Sequence, residues 1–138
     1  MRVVGLDLGA RRIGIAVSDA SGTVATPHSV LERRGNIAID HAAIAAVIAE
    51  LGAERVVVGL PLSLDGSFGP AANAVRDEIG VLAALLPVPV EAHDERFSTV
   101  TAERALTAQK VRARDRRRVV DKLAAAVILQ SWLEANHD

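Results

Sequence analysis

The chain has 138 residues and a formal net charge of −1, with 50% apolar and 24% charged residues. This length predicts a single domain over residues 1–138 and excludes two full lobes with a cleft between them, while the near-zero net charge gives no overall indication of a nucleic-acid or membrane partner. There is no cysteine, which excludes disulfides, thiolate metal sites and a cysteine nucleophile.

The first half of the chain predicts three strands and one helix. The first run is apolar on both faces, which is typical of a central strand, and a short turn after it makes a hairpin with the second run. Asn36 can cap a helix that continues to about Leu51 and ends at Gly52. The predicted strands cover residues 2–8, 13–18 and 23–31, and the apolar face of the helix comprises Ile37, Ile44, Val47, Ile48 and Leu51.

The second half alternates strands and helices. A Val-rich strand and a glycine-containing loop lead to a helix with Pro70 in its first turn. Hairpins first and crossovers after them predict an α/β fold, with a mixed sheet flanked by helices. The predicted elements are a strand over residues 55–60, a loop over 61–70, a helix over about 70–86, a strand over 88–93, a helix over about 99–108 and a last helix that ends near residue 136.

Three acids occupy positions expected to be buried, where a carboxylate is costly unless it is paired, hydrogen-bonded or bound to a metal. Asp7 interrupts the apolar first strand near its carboxyl end, and Glu95 follows the fifth strand. Because these two strands should run parallel, we expect both acids at the sheet edge where open α/β sheets bind ligands. Asp121 lies on a helical stripe that must face the core. The other members of that stripe are Ala125, Ile128 and Trp132.

Three converging carboxylates are suited to Mg²⁺ or Mn²⁺, which prefer oxygen ligands. Two such ions can clamp the attacking and leaving oxygens of phosphodiester hydrolysis. Asp7, Glu95 and Asp121 are therefore the predicted catalytic and metal-binding residues, with Asp94 as an alternative ligand beside Glu95. Structural roles compete: a hydrogen-bonded buried acid for Asp7, an ion pair with Arg96 or another cation for Glu95, and a favourable charge at a helix N-terminus for Asp121.

Glycine-rich segments follow the first and fourth strands. Gly9 permits a tight turn beside Asp7 and leaves room for a ligand. Such a turn also opens the phosphate sites of actin-like and sugar-kinase folds, but those folds need a second lobe. The loop after the fourth strand is expected to form a wall of the site, and its alternative role is a plain strand-to-helix connection. Its predicted site residues are Gly59, Pro61, Asp65 and Gly66.

A basic stretch precedes Asp121 directly. It can neutralise phosphates and position a polyanion without reading its sequence, although a charge run can also be solvated surface. The chain has only Phe68, Phe97 and Trp132 as aromatic residues, so we expect recognition of backbone and shape rather than base stacking. The predicted nucleic-acid-binding residues are Lys110, Arg112, Arg114, Arg116, Arg117 and Arg118, together with Arg11, Arg12 and Arg96.

The apolar stretches bear on the location of the protein. The longest of them, such as residues 81–90, are too short to span a bilayer. Asp7 lies within the first apolar run, which argues against a signal peptide. We therefore expect a cytoplasmic protein.

Four segments, in order and over nearly the whole chain, resemble the YqgF family of pre-16S ribosomal RNA nucleases, also described as Holliday-junction-resolvase-like proteins. They are DLGARRIGIAVSD (7–19), GLP with DG and GP (59–70), DERFST (94–99) and VDKLAA to ILQ (120–130). The resemblance implies a ribonuclease-H-like fold with a five-stranded mixed sheet in the order 3-2-1-4-5. It also implies metal-dependent hydrolysis by the acids Asp7, Glu95 and Asp121, with a role at the 5′ end of the small-subunit RNA precursor.

Other functions stay open. A DNA junction resolvase must cut two strands symmetrically and would normally be a two-fold dimer, whereas a monomer or weak dimer suits the RNA nuclease. A non-catalytic regulator of transcription or ribosome assembly would need the basic stretch but not the three acids. An actin-like phosphotransferase is disfavoured by the chain length. The segment around residues 110–114 resembles a variable loop of the family, so substrate contacts carry over least well there.

Overall fold

The computed structural model describes residues 1–96 and 113–136, with side chains described over 1–96 and 122–136. Five strands and three helices are present in this part of the chain. The helix predicted over residues 99–108 lies outside it. The elements are β1 (Val3–Leu8), β2 (Arg12–Ser18), β3 (Ala25–Glu32), α1 (Ile37–Leu51), β4 (Arg55–Leu60), α2 (Pro70–Leu85), β5 (Val90–Asp94) and α3 (Ala113–Ala135).

The strands form one mixed sheet in the order β3-β2-β1-β4-β5, which confirms the predicted topology. β2 is antiparallel to β1 and β3, whereas β1, β4 and β5 run parallel to one another. Leu6 of β1 is level with Val58 of β4, and Leu60 at the end of β4 is level with Asp94. The carboxyl ends of the three parallel strands therefore share one edge of the sheet.

The two faces of the sheet bury separate apolar clusters. Val4, Leu6 and Val58 point toward α1 and α2, and α3 covers the other face. A Cβ atom at Gly5 would lie 2.7 Å from the Cβ atom of Leu129. This absence of a side chain lets α3 pack directly on β1. Central strands that are covered on both faces explain why β1 and β4 are apolar at successive positions.

The ends of α1 follow the sequence signals. The side chain of Asn36 accepts hydrogen bonds from the backbone N–H groups of Ala38 and Ile39, and Gly52 ends the helix in the left-handed conformation at φ 64°. The predicted apolar face is wrong at Ile37, which is 54% exposed. Helical periodicity gives the direction of a side chain but not the turn at which the helix first meets the sheet.

The last helix begins earlier than the sequence suggested. α3 starts at Ala113, so Arg114, Arg116, Arg117 and Arg118 belong to the helix rather than to a loop before it. Alanine and arginine favour helix, and no glycine or proline interrupts this segment. Over the described residues, none of the helices has the length and apolar character needed to cross a membrane.

Candidate active site

A cleft of about 560 Å³ opens at the carboxyl edge of the parallel strands. Its walls come from the ends of β1 and β4, the β1–β2 turn, the residues after β5 and one face of α2. Two of the predicted acids, Asp7 and Glu95, line it together. The lining residues that the sequence had singled out are Asp7, Gly9, Arg11, Arg12, Gly59, Pro61 and Glu95.

Asp7 is held at the end of β1 by a tight turn. It is level with Gly14 of β2 and is partly buried. The N–H of Gly9 donates to the carbonyl oxygens of Asp7 (3.1 Å) and Arg12 (3.0 Å). A Cβ atom at residue 9 would lie 2.6 Å from the Arg12 carbonyl oxygen. Only glycine fits this turn, as the sequence predicted.

Glu95 reaches the cleft from the next strand but one. Its N–H donates to the carbonyl oxygen of Leu60 at 3.4 Å, which ties the residue to the end of β4. A Cβ atom at Gly59 would overlap the Oε2 atom of Glu95 and would lie 2.5 Å from the Cδ1 atom of Ile128. The missing side chain at Gly59 therefore leaves the space that the Glu95 carboxylate occupies.

Asp94, the alternative to Glu95, has a different environment. It is exposed, does not line the cleft, and forms an ion pair with Arg96 at 2.8 Å. The hydrogen bond from Arg96 lowers the pKa of the Asp94 carboxyl. Arg96 is thus paired with Asp94, and the phosphate contact predicted for Arg96 would compete with that ion pair.

Arg96 also contacts the loop between β4 and α2. Its Nη1 atom donates to the carbonyl oxygen of Leu64 at 3.5 Å, and a Cβ atom at Gly66 (φ 88°) would lie 2.8 Å from the same nitrogen. The side chain of Asp65 accepts from the N–H of Ser67, and hydrogen bonds from Ser67 lower its pKa. Of the residues predicted for this wall, Gly59 at the end of β4 and Pro61 line the cleft, whereas Asp65 and Gly66 of the loop do not.

The backbone position of Asp121 follows from the packing of α3. Trp132 lies beside Val3, and Ala125 lies beside Gly5, so α3 runs opposite to β1. Two strand residues span about 6.6 Å and one helical turn about 5.4 Å. Asp121 precedes Ala125 by one helical turn, and Asp7 follows Gly5 by two strand residues in the same direction. The backbone of Asp121 therefore lies near the level of Asp7 along β1. The predicted inward stripe is confirmed at Ala125, Ile128 and Trp132, which are all buried.

Among the described side chains, no group of three or more His, Cys, Asp or Glu residues is close enough to hold a metal ion. The side chain of Asp121 is not part of that set, so the predicted acid triad stays a prediction. Two carboxylates, Asp7 and Glu95, in one cleft match the oxygen-rich chemistry that Mg²⁺ and Mn²⁺ prefer.

Apart from Arg96, the predicted cations fall into three groups. Arg11, which is exposed, and Arg12 line the cleft. The backbones of Arg114, Arg116, Arg117 and Arg118 lie in α3. Lys110 and Arg112 lie outside the described residues.

A polar network that the sequence analysis missed reaches the cleft through Arg33 and Glu78. We call it the Arg33 network; its members are Arg33, Asp40, His41 and Glu78. The guanidinium of Arg33 donates to both carboxylate oxygens of Glu78 (3.0 and 2.8 Å), and the Nε2 atom of His41 lies 2.8 Å from Glu78 Oε2. Burial alone would raise the pKa of Glu78, but the hydrogen bonds from Arg33 and His41 outweigh it and lower that pKa.

One signal in the sequence could have revealed this network. Glu78 lies three residues after Val75 and four before Leu82, both of which are buried. It therefore occupies the core-facing stripe of α2, where a carboxylate needs a partner. The identity of that partner, Arg33, is not readable from spacing along the chain.

Comparison with known proteins agrees with this geometry. The family model of RuvX, described as a Holliday junction resolvase, matches residues 1–135. A protein of Myxococcus xanthus with the name "Putative pre-16S rRNA nuclease" is 48% identical, over 99% of this chain and 89% of its own length. A protein of Anaeromyxobacter dehalogenans with the same name is 50% identical, over 97% of each chain.

The fold also has a solved counterpart. RuvC of Thermus thermophilus, in complex with a Holliday junction substrate, superimposes with a TM-score of 0.61 at 18% identity. The match covers 98% of this chain and 95% of that one. At this level of identity the likeness concerns the fold, which is the ribonuclease-H-like arrangement that the sequence predicted.

Proposed function

The chain belongs to the RuvX family and is a nuclease, and we propose that it uses Mg²⁺ or Mn²⁺ to cleave a structured RNA, the precursor of 16S ribosomal RNA, at its 5′ end. The observation that carries the catalytic assignment is the meeting of Asp7 and Glu95 in one cleft at the carboxyl edge of the sheet. The name shared by relatives that are 48% and 50% identical supports the choice of RNA.

The proposed metal ligands are Asp7, Glu95 and Asp121. When bound, a divalent ion supplies Lewis acidity that acidifies a water molecule and offsets the negative charge of the phosphate. The carboxylates of Asp7 and Glu95 fit that need because they are hard oxygen donors and both residues line the cleft. We assign Glu95 rather than Asp94 to this set, since Arg96 already holds Asp94 outside the cleft.

The remaining residues bind and orient the substrate. Arg11 and Arg12 line the cleft next to Asp7, where their charges can hold the phosphates that flank the cleaved bond. Hydrolysis breaks one phosphorus–oxygen ester bond, forms one bond from phosphorus to the oxygen of water, and transfers a proton from that water to the leaving oxygen, which departs as a hydroxyl group. The arginines of α3 at positions 114, 116, 117 and 118 are proposed to extend this basic track.

Replacement of Asp7 by Asn tests the proposal. The change keeps the size of the side chain but removes the charge that a metal ion requires, so cleavage should be lost while folding is retained. The assay maps 5′ ends after incubation of ribosomal RNA precursor with Mg²⁺ or Mn²⁺. Asp77→Asn is the matched control, because Asp77 is exposed on α2 and does not line the cleft. Equal cleavage by Asp7→Asn and wild type would contradict the mechanism.

A second candidate is resolution of four-way DNA junctions. It is favoured by the description of the family and by the fold shared with the junction-bound RuvC. Symmetric cutting of two strands requires a two-fold dimer. Sedimentation of the protein, with cleavage assays on junctions and on precursor RNA, separates the two functions. A monomer that cuts the RNA and leaves junctions intact supports the RNA nuclease.

Binding without cleavage is the remaining alternative. A regulator of transcription or ribosome assembly would need the basic residues but not the acids. Asp121→Asn should abolish cleavage and leave RNA affinity unchanged if the protein is a nuclease.

We also propose a cytoplasmic location, because the similar proteins are bacterial and bacterial ribosomal RNA is processed there.

A further inference from the structure

We propose that Arg33 is a positioning residue of the active site, which holds the β1–β2 turn and, through it, Asp7. This inference rests on the proposed function, because it assigns a role beside the acids of the cleft. Arg33 follows β3 directly and lines the cleft together with Glu78. Neither residue belongs to the acid set or to the predicted basic track.

Two hydrogen bonds join Arg33 to the turn. Its Nε atom donates to the carbonyl oxygen of Gly9 at 2.7 Å, and its backbone N–H donates to the carbonyl oxygen of Arg11 at 2.9 Å. The N–H of Gly9 donates back to the carbonyl oxygen of Asp7. A displacement of the guanidinium is therefore transmitted through Gly9 to the residue that carries the Asp7 carboxylate.

The other end of the guanidinium is fixed by the Arg33 network. Both Nη atoms of Arg33 bond to the carboxylate of Glu78, which also contacts the Nε2 atom of His41. The carboxylate of Asp40 lies 3.8 Å from the Nη1 atom of Arg33. The side chains of Arg33, Glu78 and His41 are only 15%, 11% and 3% exposed. These contacts tie α1 and α2 to the end of β3, and the guanidinium has little freedom to rotate.

The hydrogen bond from Arg33 to Gly9 distinguishes a role in positioning Asp7 from a role in stabilising the fold alone. A network that only joined α1 to α2 would need the contacts of Glu78, His41 and Asp40. The Nε–H of Arg33 adds a separate contact to the turn beside Asp7. Arginine suits this role because its planar fork can bond a carboxylate and a carbonyl at once, whereas a lysine ammonium cannot reproduce that geometry.

A second arginine–carboxylate pair offers a matched control. Arg55 bonds to Glu91 at 2.7 Å and also joins two elements, the starts of β4 and β5. It lies at the opposite end of the parallel strands and does not line the cleft. Substitution of Arg55 should therefore report on the loss of an ion pair without a change near Asp7.

The experiment compares Arg33→Lys with Arg55→Lys and wild type. The measurements are kcat, KM, the salt dependence of KM, Mn²⁺ binding by electron paramagnetic resonance, and Tm. Arg33→Lys should lower kcat about ten- to a hundredfold and weaken Mn²⁺ binding about tenfold, as expected when a residue that orients a metal ligand is lost. KM and its salt dependence should stay within about twofold, since Lys keeps the positive charge. Arg55→Lys should match wild type in kcat and Mn²⁺ binding.

Three results would overturn the inference. If Arg33 bound a phosphate, Arg33→Lys would keep kcat near wild type because the charge remains, whereas Arg33→Ala would raise KM and lower the salt slope by about one unit. If its role were structural only, Arg33→Lys would change Tm but leave kcat and Mn²⁺ binding at the values of Arg55→Lys. If Mn²⁺ binding were unchanged and kcat alone fell, the proposed transmission to Asp7 would be wrong.

Two further comparisons complete the test. If Arg33→Lys fails to fold, Glu78→Gln takes its place, since it removes the charge that anchors the guanidinium but leaves Arg33 itself. Glu78→Gln should weaken Mn²⁺ binding, as expected for Arg33→Lys. An unchanged Mn²⁺ affinity would overturn the inference. Failure of the proposed function looks different: wild type would cleave neither RNA nor DNA junctions, and Asp7→Asn would bind Mn²⁺ as wild type does.

Discussion

The two ends of the parallel strands differ in what they bury. At the carboxyl end, Asp7 and Glu95 lie in a cleft walled by the Arg33 network, so several charged groups are partly or largely withheld from water. At the amino end, Trp132 packs under Val3, and the Arg55–Glu91 ion pair is 32% and 39% exposed. Burial of charge is costly, and it is concentrated at the end where the sheet offers a site.

The same contrast separates activity from stability. Substitutions at the carboxyl end should reduce cleavage more than they reduce folding. Substitutions at the amino end should do the opposite, because apolar packing and a half-exposed ion pair are the main contacts there. Four predictions test whether this division holds.

The largest effect on activity is expected at Glu95. Glu95→Gln should reduce cleavage to background, because it removes a proposed metal ligand from the cleft. Asp94→Asn is the matched control and should retain cleavage within a few-fold, since exposed ion pairs contribute only about 0–1 kcal/mol. Rates on precursor RNA measure both. A loss of activity in the Asp94 variant with normal activity in the Glu95 variant would reverse the ligand assignment.

The largest effect on stability is expected at Trp132. Trp132→Ala removes a buried side chain and the cation–π contact with Arg55, whose guanidinium lies 6.0 Å from the ring centre. The free energy of unfolding should fall by about 3–5 kcal/mol, measured by urea denaturation. Cleavage per folded molecule should stay near wild type. If the folded fraction were inactive, the two ends would not be separable.

An intermediate effect on both activity and stability is expected from substitution of Gly59. Gly59→Ala places a methyl group where the Glu95 carboxylate and the Ile128 side chain already lie. Overpacking should lower the free energy of unfolding by about 1–3 kcal/mol, and displacement of Glu95 should also lower kcat. Gly80→Ala is a control in a helix with open space around it. Full activity in Gly59→Ala would show that Glu95 can move without consequence.

The smallest effect is a pH dependence of stability at Glu78. Its pKa is lowered in the folded state, so its charged form stabilises folding above the ordinary value of 4.5, and this stabilisation is lost as the pH falls through the folded-state pKa. The Tm difference between wild type and Glu78→Gln should therefore shrink from neutral pH to about pH 3. A difference that grew on acidification would contradict the sign of the shift.

Much of the fold could be predicted from local pattern. β4 and both ends of α1 agree with the predicted residues, since an apolar run on both faces, an asparagine cap and a terminal glycine are each short-range signals. The mixed sheet followed from hairpins and parallel crossovers, and its strand order followed from the resemblance to the YqgF family. The exposure of Ile37 was missed because it depends on where α1 meets the sheet, whereas the early start of α3 at Ala113 was missed although the helix propensity of that segment is a local signal.

The candidate site was predictable only in part. The placement of Asp7 and Glu95 in one cleft follows from parallel strands, which bring their carboxyl ends to one edge. The ion pair of Asp94 with Arg96 was not expected, although the notion that Arg96 pairs with a neighbouring acid was. The pairing of Asp94 with Arg96 depends on the direction of side chains after the strand ends, where no periodicity applies.

The sequence by itself determined the strands, their order, the tight turn at Gly9 and the edge at which Asp7 and Glu95 lie. These features depend on periodicity, on the family resemblance for the strand order, on the absence of a side chain at Gly9 beside the Arg12 carbonyl oxygen, and on the parallel run of the strands. The tertiary structure alone decided that Arg33, His41 and Glu78 join beside that edge, and that Gly59 makes room for Glu95. The reason is physical: contacts between residues far apart in the chain arise only when packed helices and strands bring them within hydrogen-bond distance.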